Sequence, residues 1–315
     1  MKGMEIGKGS IFELEGIPAF RQVLPLALQH VVAMIVGCVT PAIIVSGAVS
    51  GGGMSQGDKV ILIQAALFVS AISTLLQLFP LGSKSGFHIG SSLPVIMGVS
   101  FAYVPSMQAI AEGYGVATIL GSQIVGGCVA IIVGLLVRKI RVFFPPLITG
   151  TVVFTIGLSL YPTAINYMAG GTSSETYGSW QNWAVAIFTL VIVTVLNHFG
   201  KGIVKLASIL IGMVAGYVVS AFFGMVSFSS VASASVFQLP QVMHFGINFE
   251  VSSCVAIGLL FAINSVQAIG DFTATTVGGL GREPSDKELQ GGIVGYGVMN
   301  SIGAVFGGLP TATYS

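Results

Sequence analysis

The feature that most constrains this chain is where its charges are missing. Apolar runs close to the ~20 residues that cross a hydrocarbon core recur along its length. Lys, Arg, Asp and Glu make up only 7% of residues and fall almost entirely between those runs. Soluble domains carry about 25% charged residues, so a water-exposed fold of 315 residues is excluded. The chain reads as an all-α polytopic membrane protein whose first partner is the lipid bilayer. Its 43 glycines suit close helix packing and interrupted helices in that setting. A net charge of +1 gives no electrostatic footing for nucleic acid.

The apolar runs predict spans at 23–47, 59–80, 88–104, 116–137, 146–165, 181–199, 205–224, 251–272 and 291–307, with a tenth beginning near Leu309. Residues 1–22 read as a cytoplasmic N-terminal segment, without the apolar core of a signal peptide. The Ser-rich stretch 225–250 is too polar to span and reads as an external loop or interfacial piece. With the N-terminus inside, Lys2, Lys8, Arg21, Lys84, Arg138, Lys139, Arg141, Lys201, Lys205, Arg282 and Lys287 all fall on the cytoplasmic side, and only Lys59 falls outside. That asymmetry is the positive-inside pattern of a plasma-membrane protein.

Two segments break the helical pattern. One is His88–Tyr103, with Leu93-Pro94 and Gly98; the other is Gly307–Ser315, with Leu309-Pro310. Pro removes a backbone donor, and Gly weakens a helix. Two readings fit: a pair of kinked helices, or two interrupted segments lining a solute cavity, where irregular backbone survives in a membrane.

Asp271 is the one acid placed within a span. Burying its charge there costs about 2.5–3.5 kcal/mol on insertion scales. Gln267 lies one turn earlier on the same face, and its amide both donates and accepts, as the edge of a heterocycle requires. Asn264 and Thr273 flank the pair. The alternative is an interhelical polar clamp with Asp271 near cytoplasmic water. Gln29 and His30 sit in the first span, where packing and a proton or solute contact are equally good readings. His88, His198 and His244 lie at span ends or in a loop. Cys38, Cys128 and Cys254 are isolated in apolar runs and read as buried hydrophobes, with no metal or disulfide spacing. No nucleophile elbow, Walker sequence or His-Glu-x-x-His occurs, so an enzyme is disfavoured and no cofactor is expected. An anion carrier would want a basic residue within a span, and none is placed there. A passive pore remains open on sequence alone.

Five motifs in order carry a family likeness: Gln29-His30, Ser100-Phe101, Val142–Gly150, Gln267-Ala-Ile-Gly-Asp271 and Gly307–Ser315. Together they resemble the nucleobase:cation symporters, or nucleobase–ascorbate transporters, in their bacterial xanthine, urate and uracil permease branch. The resemblance implies two inverted seven-helix repeats forming a core and a gate domain. Residues 23–224 would be the first repeat, with core spans one to four and gate spans five to seven. Residues 251–315 would begin the second. It implies short antiparallel strands in spans three and ten that meet at the substrate. The implied contacts of a purine nucleobase, xanthine or urate with uracil next, are Gln267, the backbone at Ser100 and Phe101, and Tyr314-Ser315. Asp271, His30, Gln29 and Tyr296 would be supporting polar residues. Pairing of two copies through the gate domain is also implied.

Three departures accompany the likeness. Family members usually carry Glu where this chain has Gln267, and many oxopurine carriers have Asp at the place aligned with Tyr296. That leaves Asp271 as the expected proton carrier, with H+ the first coupling ion and Na+ the second. The family signature Gln-Asn-x-Gly is expected just after Ser315, so the chain reads as a fragment lacking roughly the last third of a member.

Overall fold

In the computed structural model the described residues are 20–51, 53–82, 88–140, 146–171, 174, 176–201, 203–206, 208–226 and 240–314. The apolar runs become helices: α1 (Phe20–Ala48), α2 (Gln56–Leu78), α3 (Val104–Tyr114), α4 (Val116–Ile140), α5 (Pro146–Ser159), α6 (Tyr161–Met168), α7 (Trp180–Phe199), α8 (Ile203–Leu206), α9 (Ser208–Phe222), α10 (Val251–Thr275) and α11 (Asp286–Val305). Among the described residues, four helical stretches are long and apolar enough to cross a membrane: Gln56–Leu78, Val116–Lys139, Trp180–Phe199 and Val251–Leu280.

Local chemistry sets several helix starts. Ser55 caps α2 by accepting from the Asp58 amide, and Ser179 caps α7 by accepting from Asn182. Glu250 caps α10, accepting from the Ser252 and Ser253 amides. Hydrogen bonds from the Ser252 hydroxyl, then from both amides, hold the Glu250 carboxyl down at about 2. Ser285 and Glu288 close a capping box on α11. At the far end of α10, Thr273, Thr275 and Thr276 turn their hydroxyls back onto the carbonyls of Ile269, Asp271 and Phe272. That back-bonding loosens the ladder, and the helix relaxes into a π turn over Thr276–Leu280.

The described residues form two compact units. One holds 34–156 and 240–314. Its core is α4 packed on α10 and α11, with α2 alongside. Small residues allow the closest approach: a methyl group at Gly297 would stand 2.6 Å from the Gly127 carbonyl oxygen, and one at Gly127 would stand 2.6 Å from the Gly297 carbonyl. Gly297→Val is therefore expected to destabilise the unit by about 1–3 kcal/mol through overpacking. The expected result is a lower melting temperature in detergent, with Gly47→Ala, which meets nothing within 4 Å, unchanged. Residues 240–250 lie on this unit, with the Met243 amide bonded to the Val305 carbonyl and the Asn248 amide to the Ala117 carbonyl. The other unit, 20–33 and 157–226, is helical. Within it α7 packs on α9, where Gly212 faces Val193 and Gly216 faces Thr189.

The predicted third span is not a continuous helix. Residues 88–99 hold two short strands, β2 (His88–Ile89) and β3 (Ile96–Val99), and a 3-10 turn at Phe101–Tyr103 leads into α3. α3 occupies ten residues or so that the hydropathy pattern left as a break, and it ends at Gly115, whose φ of +81° only glycine adopts cheaply. β2 pairs with β1 (Leu81–Gly82), and β3 pairs antiparallel with β4 (Thr311–Tyr314). The predicted tenth span thus opens as a strand. The 146–165 run divides at Leu160, with Pro162 starting α6, and 205–224 begins with the short α8 before α9.

Candidate functional site

Every group that builds the site lies in the strand-bearing unit. The register pairs Ile96 with Tyr314, Met97 with Thr313, Gly98 with Ala312 and Val99 with Thr311. The Ser100 amide extends the ladder by donating to the Pro310 carbonyl at 3.0 Å. Each strand follows a Leu-Pro pair, Leu93-Pro94 before β3 and Leu309-Pro310 before β4. Beyond β3 the chain turns at Ser100, whose hydroxyl accepts from the Ala102 amide at 3.3 Å. The helical segment starting at Phe101 therefore presents its positive end beside the sheet, and it packs on α10.

Asn264, Gln267 and Asp271 lie along one face of α10 at the i, i+3, i+7 spacing. Asp271 is buried, 6% exposed, and its Oδ2 accepts a 2.5 Å hydrogen bond from the Thr313 hydroxyl. That bond ties α10 to β4. One turn before it, Gln267 Oε1 is buried with no hydrogen-bond partner. A buried amide oxygen left unpaired costs about 1–3 kcal/mol; Asn264 Oδ1 on the same face and Thr311 Oγ1 of β4 are buried without a partner as well, so Gln267 is one of three unfilled polar groups on these elements.

Tyr314 crosses the sheet. Its hydroxyl donates to the Val99 carbonyl at 2.5 Å, and its ring lies over Gly98 and beneath Gly37 of α1. A side chain at Gly98 would occupy the ring's place. Phe101 is half-buried and Ser100 is buried. The structure thus sets α10, which carries Gln267 and Asp271, against β4 and the turn at Phe101–Tyr103, while the Tyr314 ring lies on the strand face opposite Thr313, against Gly98 and Gly37. Ser315 and the side chain of Gln29 lie outside the described residues. His30 is exposed and belongs to the helical unit.

Tyr296 is placed in the core of α11. It is 1% exposed, its ring stacks on Phe261 at 5.4 Å, and its hydroxyl meets the Tyr103 hydroxyl at 2.5 Å. Its polar group is occupied by Tyr103. That contact joins the 3-10 turn to α11, where an Asp would instead offer a carboxylate.

Several groups escaped the sequence reading. Thr313 was within a named motif, yet its bond to Asp271 has no local signature. Tyr103 reads as an ordinary aromatic. Gln77 receives the Ser91 amide and donates to the Gly292 carbonyl, at 2.9 Å each. Thr74, Gln123 and Asn300 are polar residues within apolar helices, and that isolation was the one available signal. Chemically the site offers neutral amide groups, a carboxylate and strand backbone, which suits binding and release of a polar heteroaromatic solute.

Residues 21–315 match the family model Xan_ur_permease, described as Permease family. Uric acid permease PucJ of Bacillus subtilis (strain 168) is 36% identical over 301 residues, covering 93% of this chain and 65% of PucJ. The xanthine permease of the same organism is 35% identical over 298 residues, covering 94% and 66%. Xanthine permease XanQ of Escherichia coli (strain K12) is 30% identical over 326 residues, covering 98% and 68%. The chain spans about two thirds of the length of these curated relatives. Among solved structures, the transmembrane domain of a cyanobacterium bicarbonate transporter BicA has a TM-score of 0.58 at 17% identity, covering 93% of this chain and 75% of that one; the likeness establishes a shared fold. Helices long and apolar enough to cross a membrane and a family match over residues 21–315 lead to one assignment: this chain is a multi-pass membrane protein that belongs to the Permease family.

Proposed function

We propose that this permease imports a purine nucleobase, xanthine or uric acid, across the plasma membrane by ion symport. The observation that carries the reading is Gln267, whose buried Oε1 has no partner and stands one turn from the Asp271–Thr313 bond that joins α10 to β4. An oxopurine edge alternates N–H and C=O groups, and an amide side chain reads both. The names of the relatives support this substrate class. Ser100, Phe101, Tyr314 and Ser315 supply the rest of the contact surface in this reading. Asp271 carries the coupling proton, and Tyr296 supports the turn. The loop charges favour a cytoplasmic N-terminus.

Uptake of radiolabelled xanthine, uric acid and uracil into cells expressing the gene tests the proposal. The expected result is uphill accumulation of xanthine or uric acid that collapses when a protonophore removes the proton gradient. Accumulation of uracil alone would move the substrate to the pyrimidine class. Equilibration without accumulation would replace symport with a passive pathway.

A further inference from the structure

The sheet beneath the site is only two strands wide, so it has two edges. Inside a membrane no water satisfies an edge. The register identifies which groups face outward. In an antiparallel pair, alternate residues exchange bonds with the partner strand, and those between turn their N–H and C=O away. The Met97 amide donates to the Thr74 hydroxyl of α2 at 2.9 Å. The pairs Met97/Thr313 and Val99/Thr311 are therefore the outward-facing ones, and a helix hydroxyl covers the β3 edge.

On the β4 edge the same task falls to a carboxamide. The Thr311 amide donates to Asn300 Oδ1 at 2.8 Å, and Asn300 Nδ2 donates to the Thr311 carbonyl at 3.3 Å. This two-bond exchange is what a third strand would make. Asn300 is itself held from two sides. Its Nδ2 donates to the Tyr296 carbonyl at 2.9 Å, and Gln123 Nε2 of α4 donates to the Asn300 carbonyl at 3.0 Å. Asn300 and Gln123 are both fully buried.

We propose that Asn300 is a positioning residue for the substrate site: its carboxamide replaces a third strand, and by fixing Thr311 it sets the register that places Thr313 on Asp271. The inference rests on the reading of α10 and the strands as the nucleobase site. A slip of β4 by one residue would send the Thr313 side chain to the opposite face and break its bond to Asp271. Because α11 also carries Tyr296, which holds Tyr103, one helix spaces both the turn after β3 and the edge of β4.

The test compares wild type, Asn300→Ala, Asn300→Asp and Gln123→Met, with Ser301→Ala as a control whose hydroxyl bonds only within its own helix turn. Two readouts are taken: uptake kinetics for xanthine and uric acid, and amide hydrogen exchange of the β4 segment. Loss of the two-bond exchange is expected to raise KM about tenfold or more in Asn300→Ala. Vmax should stay within about twofold. Exchange over 311–314 should quicken by about tenfold or more. Asn300→Asp keeps the acceptor for Thr311 but loses the donor, and should follow Asn300→Ala. Gln123→Met should give the same pattern more weakly, and Ser301→Ala none. Unchanged KM and unchanged exchange in Asn300→Ala would overturn the proposal. Disappearance of both Asn300 variants from the membrane would do so too, because Asn300 would then be a folding residue. A wild type that accumulates no nucleobase defeats the transport reading instead, and the exchange readout still decides whether Asn300 fixes β4.

Discussion

Gln267→Leu is expected to bring nucleobase uptake down to background while the protein stays at normal abundance in the membrane. The substitution removes the unpaired acceptor and keeps the volume of the side chain, so packing on α10 is little disturbed. A site built to hydrogen-bond its ligand loses far more from such a change than an apolar pocket loses from a methylene. The expected fall in Vmax/KM is about 100-fold or more, about 2.7 kcal/mol at the site. Gln267→Glu should keep measurable uptake, because a carboxyl accepts from the same position, and should make that uptake steeper with pH. Normal xanthine and uric acid kinetics in Gln267→Leu would remove Gln267 from the site.

Asp271→Asn is the second large effect. The amide oxygen can still accept from the Thr313 hydroxyl, so the tie between α10 and β4 survives, whereas the ionisable group does not. Uphill accumulation is expected to fall about tenfold or more and to lose its pH dependence. Exchange of labelled for unlabelled xanthine across the membrane should persist, since exchange needs the site but not net proton movement. Accumulation that keeps its size and pH dependence would exclude Asp271 as the proton carrier. Asp271→Ala is a useful partner to this variant. It strands the Thr313 hydroxyl as well, and should lose exchange along with accumulation.

The sequence made the long elements legible because apolar length is a strong signal. α1, α2, α4, α7 and α10 all begin and end within a few residues of the predicted spans. It made Asp271 legible because a carboxylate in an apolar run is costly and needs a reason. β3 was harder. Ile96-Met97-Gly98-Val99 is a short apolar run that periodicity cannot distinguish from a piece of helix, and only its likeness to a family implied a strand. α3 was missed because Glu112 and Gly113 at its end resemble a loop.

The partners in the site were the least legible. Thr313 meets Asp271 across 42 residues of chain, and Gln123 meets Asn300 across 177. Neither distance leaves a local pattern. Asn300 looks like any polar residue in a glycine-rich helix until β4 is placed beside it. Tyr296 illustrates the opposite difficulty. Its alignment with an acid suggested a polar supporting role, and the structure turns its hydroxyl to Tyr103 and its ring to Phe261.

The central claim is that α10 and the β3–β4 pair share one solute pocket, with Gln267 as its unfilled acceptor. An experimental structure of the protein with bound xanthine tests it most directly. The account predicts ligand density within hydrogen-bond reach of the Gln267 amide and beside the backbones of Phe101, in the 3-10 turn, and Tyr314, in β4. Xanthine bound elsewhere, with Gln267 still unpaired or turned onto a protein group, would contradict it.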